Sequence, residues 1–235
     1  MLAGRAVQVV RHPRARALRL RLDRRSGAVI LTLPPRAGMR DALAWARSKE
    51  DWVRGAVDEA QAPMPICAGM SIPYCGGAVR LVHAPQASRV PHLVADQLIV
   101  GGAAAELPGR VIRWLKRAAL DLLTRETAEF AALVPVTVAG VGVGDPVSRW
   151  GSCAASGKIR YSWRLILAPA NVRRATVAHE VAHRVHMNHS PAFHAQVAQL
   201  LGHDPKAERA WLRAHGPALQ RWGMAVPHKG DNDEY

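Results

Sequence analysis

The segment His179-Glu180-Val181-Ala182-His183 constrains this chain more than any other. On an α-helix, residues four apart lie about 40° apart around the axis and roughly 6 Å along it, so both imidazoles can reach one point in space. Glu180 sits about 100° from His179 and about 60° from His183, which places a carboxylate beside that point. The rest of the chain must build a core around such a helix. With 235 residues, 49% of them hydrophobic, it has material for one sizeable domain or two small ones.

Leucine and arginine alternate through residues 18–22, the period-2 pattern of a strand with one buried face. Turn residues at 23–27 lead to an apolar run at 28–33, closed by Pro34 and Pro35, which reads as the returning strand of a β-hairpin. Between residues 39 and 60 the apolar positions Leu43, Trp45, Ala46, Trp52, Val53, Ala56 and Val57 recur at helical spacing, with the tryptophans expected to face the core. Pro63 and Pro65 end that helix. Short strand-like runs follow at 71–74, 79–83, 89–94 and 98–100, punctuated by Gly76-Gly77 and Gly101-Gly102. Residues 1–104 therefore read as a β-rich, antiparallel region with one helix.

A second helix is expected from about Leu107, with Pro108 in its first turn, to about Leu133. Strands are expected at 136–143, 148–153 and 158–167. Asn171 can cap a helix that carries the two histidines and runs to about Met187. Ser190-Pro191 signals a new start for a helix over 192–201, ended by Gly202, and a last helix spans about 205–222. The class is α+β, with residues 105–224 as the core that holds the histidine helix. Residues 225–235 form a polar tail expected to be disordered.

The formal net charge of +14 creates a field that attracts phosphates, anionic surfaces and acidic protein segments without choosing among them. Arg5, Arg11, Arg14, Arg16, Arg19, Arg21, Arg24 and Arg25 crowd the start, with no aromatic residue interleaved to stack on bases. That run reads first as a solvated face, and second as a surface for nucleic acid or a nucleotide. The cysteines Cys67, Cys75 and Cys153 lack paired CxxC spacing and are expected to be reduced and structural. No apolar run reaches the roughly 18 residues of a membrane span, and Met1 leads into arginine-rich sequence without a signal-peptide core. The expectation is a cytoplasmic protein with no membrane partner.

The spacing of His179 and His183 suits two positions of a tetrahedral Zn2+ site. Zinc would polarise a scissile carbonyl and acidify a water, from which Glu180 would take the proton as general base. The third ligand is His186 or His189. On a continuing helix His186 falls about 60° back from His179 and an extra turn along, whereas a break at Asn188 in the left-handed conformation would aim His189 at the ion. Geometry favours His189, and no acid between Pro191 and Gly202 competes with it.

Four stretches together carry a resemblance: Ser148-Arg149-Trp150-Gly151-Ser152-Cys153, then Ile159-Arg160-Tyr161-Ser162-Trp163-Arg164-Leu165-Ile166, then the HEVAH segment, then Asn188-His189-Ser190-Pro191-Ala192-Phe193. They resemble the YgjP-like metallopeptidases, relatives of the SprT-like zincins. The resemblance implies a zincin-like C-terminal core with His179, His183 and His189 as zinc ligands and Glu180 as the catalytic residue, acting on a peptide or protein. It also brings two further readings, a nucleoside triphosphate phosphohydrolase acting on UTP and a protease working on DNA-associated proteins. Ser162, Thr176 and His194 stand where the family usually has Asn, Tyr and Trp. The strand at Trp150 is expected to border the cleft, with Arg149 and Trp150 as candidate substrate contacts and Cys153 as a small packed residue.

Overall fold

The leucine–arginine alternation becomes a short strand, β2 (Arg19–Leu22), with half-buried leucines and exposed arginines. Its partner β3 (Val29–Leu33) is central, pairing antiparallel with β2 on one side and parallel with β1 (Val7–Arg11) on the other. Flanked on both sides, β3 buries its Val-Ile-Leu run. The computed structural model describes residues 1–23, 28–59 and 64–223. Most of the expected hairpin turn, Pro63 and the tail at 225–235 thus lie outside the described residues.

Two helices, α1 (Met39–Arg47) and α2 (Glu50–Glu59), replace the single helix expected over 39–60. Arg47 closes the first and Glu50 with Asp51 opens the second, so each charge complements the dipole at its helix end. Ser48 Oγ donates to the carbonyl of Trp45 at 2.8 Å at the break. Of the two tryptophans, Trp45 packs against the core while Trp52 is 51% exposed, because its neighbour Val53 takes the inward position. This unit, Met1–Ala62, has its own small core of Val29, Leu31, Leu33, Ala42, Ala46 and Val53.

The second unit, Pro63–Tyr235, starts well before residue 104. The reason is a shared core: Ile72, Leu81, Leu98 and Val100 from the strands cluster with Val111, Leu115 and Leu123 from the following helix. Strands β4 (Ser71–Tyr74) and β5 (Gly77–His83) are joined by Cys75 and Gly76, at φ 52° and 89°, the paired positive values of a type I′ turn. With β6 (His92–Val94) and β7 (Gln97–Val100) they form a sheet of order β4-β5-β7-β6. Pairing is mixed rather than antiparallel throughout, since β5 and β7 run parallel. Helix α3 (Leu107–Ala131) begins with Pro108 in its first turn, and its apolar stripe of Leu107, Val111, Leu115, Ala119 and Leu123, spaced four residues apart, crosses the core.

Strands β8 (Gly140–Gly144), β9 (Gly151–Cys153) and β10 (Lys158–Ser162) make a third sheet of order β8-β10-β9, which leaves β9 at an edge. The chain then enters a fully buried 3-10 turn, Trp163–Leu167, where a continued strand was expected. Helix α4 (Ala170–Ala182) is buried along most of its length. It starts after Pro169; Asn171 does not cap it but donates to Glu208 Oε1 at 3.2 Å, on α6 (Lys206–Gln220). Arg173 fixes α4 to α3 through Glu126, with its Nε 3.1 and 3.0 Å from the two carboxylate oxygens and Nη2 2.9 Å from Oε1. Both side chains are 5% exposed, so removing either would strand a buried charge. Helix α5 (Pro191–Leu201) begins where Ser190 Oγ accepts from the Phe193 amide and ends at Gly202, φ 78°.

Candidate metal centre

Helix α4 ends at Ala182, with His183 as its C-cap, five residues before the end expected from sequence. His179 and Glu180 thus occupy the last turn and His183 the exit. The rings of His179 and His183 stand edge to face, 4.9 Å between centroids. His183 Nδ1 lies 3.1 Å from the carbonyl of His186; donating there fixes the tautomer and leaves Nε2 free to bind a metal. His186 therefore acts through its backbone, and its ring is not part of the cluster.

His189 arrives from the connection between α4 and α5. Asn188 is not in the left-handed conformation expected of it; its Oδ1 accepts from the Ser190 amide at 3.3 Å, and this side-chain turn redirects the chain. His189 Nε2 faces His179 Nε2 at 3.2 Å, and one ring nitrogen from each of His179, His183 and His189 lies within 4.8 Å of the others. A tetrahedral ion with Zn–N bonds near 2.0–2.1 Å separates its ligand nitrogens by about 3.3 Å. The donor set is all imidazole and the spacing fits such an ion after small adjustments.

Phe193 carries the cluster. Its ring is fully buried and its centroid lies 4.8 Å from His179, 4.5 Å from His183 and 4.8 Å from His189. All three imidazoles rest on one apolar platform, and Ser190 caps α5 by accepting from the Phe193 amide. Phe193→Leu, which keeps an apolar side chain but loses the ring, is expected to weaken divalent-metal binding at the three histidines roughly 10- to 100-fold, as loss of a ligand-orienting neighbour typically does. Competition with a chromophoric chelator measures it, with circular dichroism confirming the fold; undiminished affinity would show that the platform orients nothing.

Burial sets the protonation of the site. It lowers the pKa of His179 to about 4, helped by the neighbouring imidazoles of His183 and His189, so this ring is neutral and able to donate its lone pair at pH 7. Burial likewise lowers His183. The carboxyl of Glu180, 5% exposed, is raised to about 7 by burial, with the Arg149 guanidinium pulling the other way. Among the described residues Glu180 makes no hydrogen bond. Its space is made by Gly151 of β9: an alanine Cβ there would overlap Oε1 and lie 2.6 Å from Cγ and 2.7 Å from Cδ.

Of the other residues singled out by sequence, Arg149 is exposed beside Glu180, and Trp150 is half-buried with its ring against Gly216 of α6. Cys153 is half-buried, its thiol pKa raised by burial, and all three cysteines are free. His194 is exposed, 6.4 Å from His189 between centroids. The spacing arguments missed Phe193 and Gly151. The cap at Ser190 could have singled out Phe193, whose amide a capping serine binds; nothing in the local pattern around Gly151 reports a helix packed across it.

Three imidazoles converging beside a buried carboxylate define a site of the kind metal-dependent hydrolases carry. The family model of the YgjP-like metallopeptidase domain matches residues 16–215, and the chain belongs to that family. No curated protein and no solved structure matches it. No helix among the described residues is long and apolar enough to cross a membrane.

Proposed function

We propose that this protein is a cytoplasmic zinc metallopeptidase in which His179, His183 and His189 hold the ion and Glu180 is the general base. The observation that carries this reading is the meeting of three imidazole nitrogens within 4.8 Å, one of them from the residue adjoining Glu180 in sequence. Zinc, when bound, supplies Lewis-acid polarisation of the scissile carbonyl and acidifies a water. Glu180 accepts the proton of the attacking water and hands it to the leaving amine. Its buried carboxyl, with a pKa raised to about 7, suits that exchange near neutral pH. The free edge of β9, next to Glu180, can add an extended peptide as a further strand, with Arg149 and Trp150 at its start. A protein or peptide is the substrate under this reading; nucleic acid or a nucleotide would engage the basic surface.

Zinc content and casein cleavage test it together. Purified protein is expected to carry one zinc per chain and cleave denatured casein, with chelator abolishing cleavage. His189→Ala is expected to lose most of its zinc. Unchanged zinc in His189→Ala would overturn the ligand set. Pyrophosphate release from UTP without casein cleavage would overturn the peptidase reading.

A further inference from the structure

A cleft of about 410 Å³ lies beside the metal centre, sharing His179 with it. The rest of its lining comes from α5, the start of α6 and the connection between them: Val197 contributes an apolar surface, while His194, Asp204, Lys206 and Arg209 supply polar groups. The charges do not balance. Among the described residues Asp204 is the one carboxylate lining the cleft, and it serves both cations, with Lys206 Nζ at 2.9 Å and Arg209 Nη2 at 3.4 Å. The Arg209 guanidinium has no other hydrogen-bond or ion-pair partner among the described residues, and at 3.4 Å its bond to Asp204 is long for a charge-assisted one. A fixed positive charge is therefore available within a cavity contiguous with a candidate zinc ligand.

Resting on the peptidase reading, we infer that this cleft is a specificity pocket for an acidic side chain of the substrate, bound by Arg209 with help from Lys206. Because the cleft shares His179 with the cluster, it can receive a neighbouring side chain of a peptide whose carbonyl is presented at the three histidines and Glu180. Glutamate fits on both counts: its methylenes lie on Val197, and its carboxylate takes the second half of the Arg209 fork that Asp204 leaves open. A lysine or arginine there would meet Lys206 and Arg209 with like charge and be excluded.

The test separates binding from turnover. Zinc-loaded Glu180→Gln, which keeps the ligands, is titrated calorimetrically with two peptides identical except for one central Glu or Gln. The Glu peptide is expected to bind about tenfold more tightly, as one charge-assisted pair commonly gives. Adding Arg209→Ala should erase the difference, and Arg209→Lys should restore part of it, with zinc content unchanged in each. Equal affinities, or a preference that survives Arg209→Ala, would overturn the inference. Casein cleavage by the wild type, run alongside, keeps the claims apart: cleavage without Glu preference sinks the pocket and leaves the peptidase standing. UTP binding that depends on Arg209, with no discrimination between the peptides, would assign the cleft to phosphate and overturn the inference.

Discussion

Gly151→Ala is expected to cut turnover by at least about a hundredfold while leaving the three histidines able to hold zinc. The added Cβ would sit 2.6–2.7 Å from Cγ and Cδ of Glu180 and overlap Oε1. Those atoms belong to a glutamate side chain on a buried helix turn with little room to retreat, so the side chain must leave its position or β9 must move away. A general base displaced by even 1 Å loses its geometry toward the attacking water, and general-base catalysis is worth roughly 10²–10⁴ in rate. Overpacking of this kind also costs about 1–3 kcal/mol of stability. The kinetics of the purified variant at full zinc occupancy are the check. Wild-type turnover would mean that Glu180 does not act from the position seen here.

Glu180→Gln should lose activity by roughly 10²–10⁴ and, without metal, make the protein more stable at alkaline pH. The folded carboxyl has a pKa of about 7 against 4.5 for an ordinary glutamate, and burial is the cause. Between those two values the folded state keeps a proton that the unfolded state has released, so metal-free stability falls as pH rises from 4.5 through 7. Above pH 7 the whole penalty of a buried carboxylate is present, of order 1–3 kcal/mol. Glutamine has no charge to bury and escapes it. Urea melts of metal-free wild type and variant should therefore coincide near pH 4 and separate by pH 8, with the variant higher. Coincident melts at pH 8 would show that Glu180 is solvated in the folded protein.

Much of the site could be read directly from the chain. The helical spacing of His179 and His183, the start signal Ser190-Pro191, Pro108 at the head of α3 and Gly202 at the foot of α5 are local features, each decided by a few neighbouring residues. The misreadings share a different origin. Helix α4 stops at Ala182, and the tightened turn that follows lets the His186 carbonyl meet His183, a tertiary contact that local propensity does not contain. Parallel pairing of β1 with β3, β5 with β7 and β8 with β10 joins segments that are not adjacent in the chain, while the alternation pattern specifies faces and not partners. Arg173 and Glu126 look like surface residues in sequence, and only their mutual contact makes their burial affordable. Gly151 reads only as part of an expected strand, and its closeness to Glu180 appears only once α4 lies across it.

The three imidazoles do not come from one element: two sit at the end of α4, and the third on the stretch that leads into α5. An ion gripping all of them would act as a rivet across that junction, tying a buried helix to an exposed loop. Occupancy then becomes a mechanical property of the fold, because each hundredfold excess of free metal over its dissociation constant adds about 2.7 kcal/mol against unfolding. In a cell, heat tolerance of this protein would track metal supply, and starvation for the ion would loosen the α4–α5 joint before it touched the distant strands.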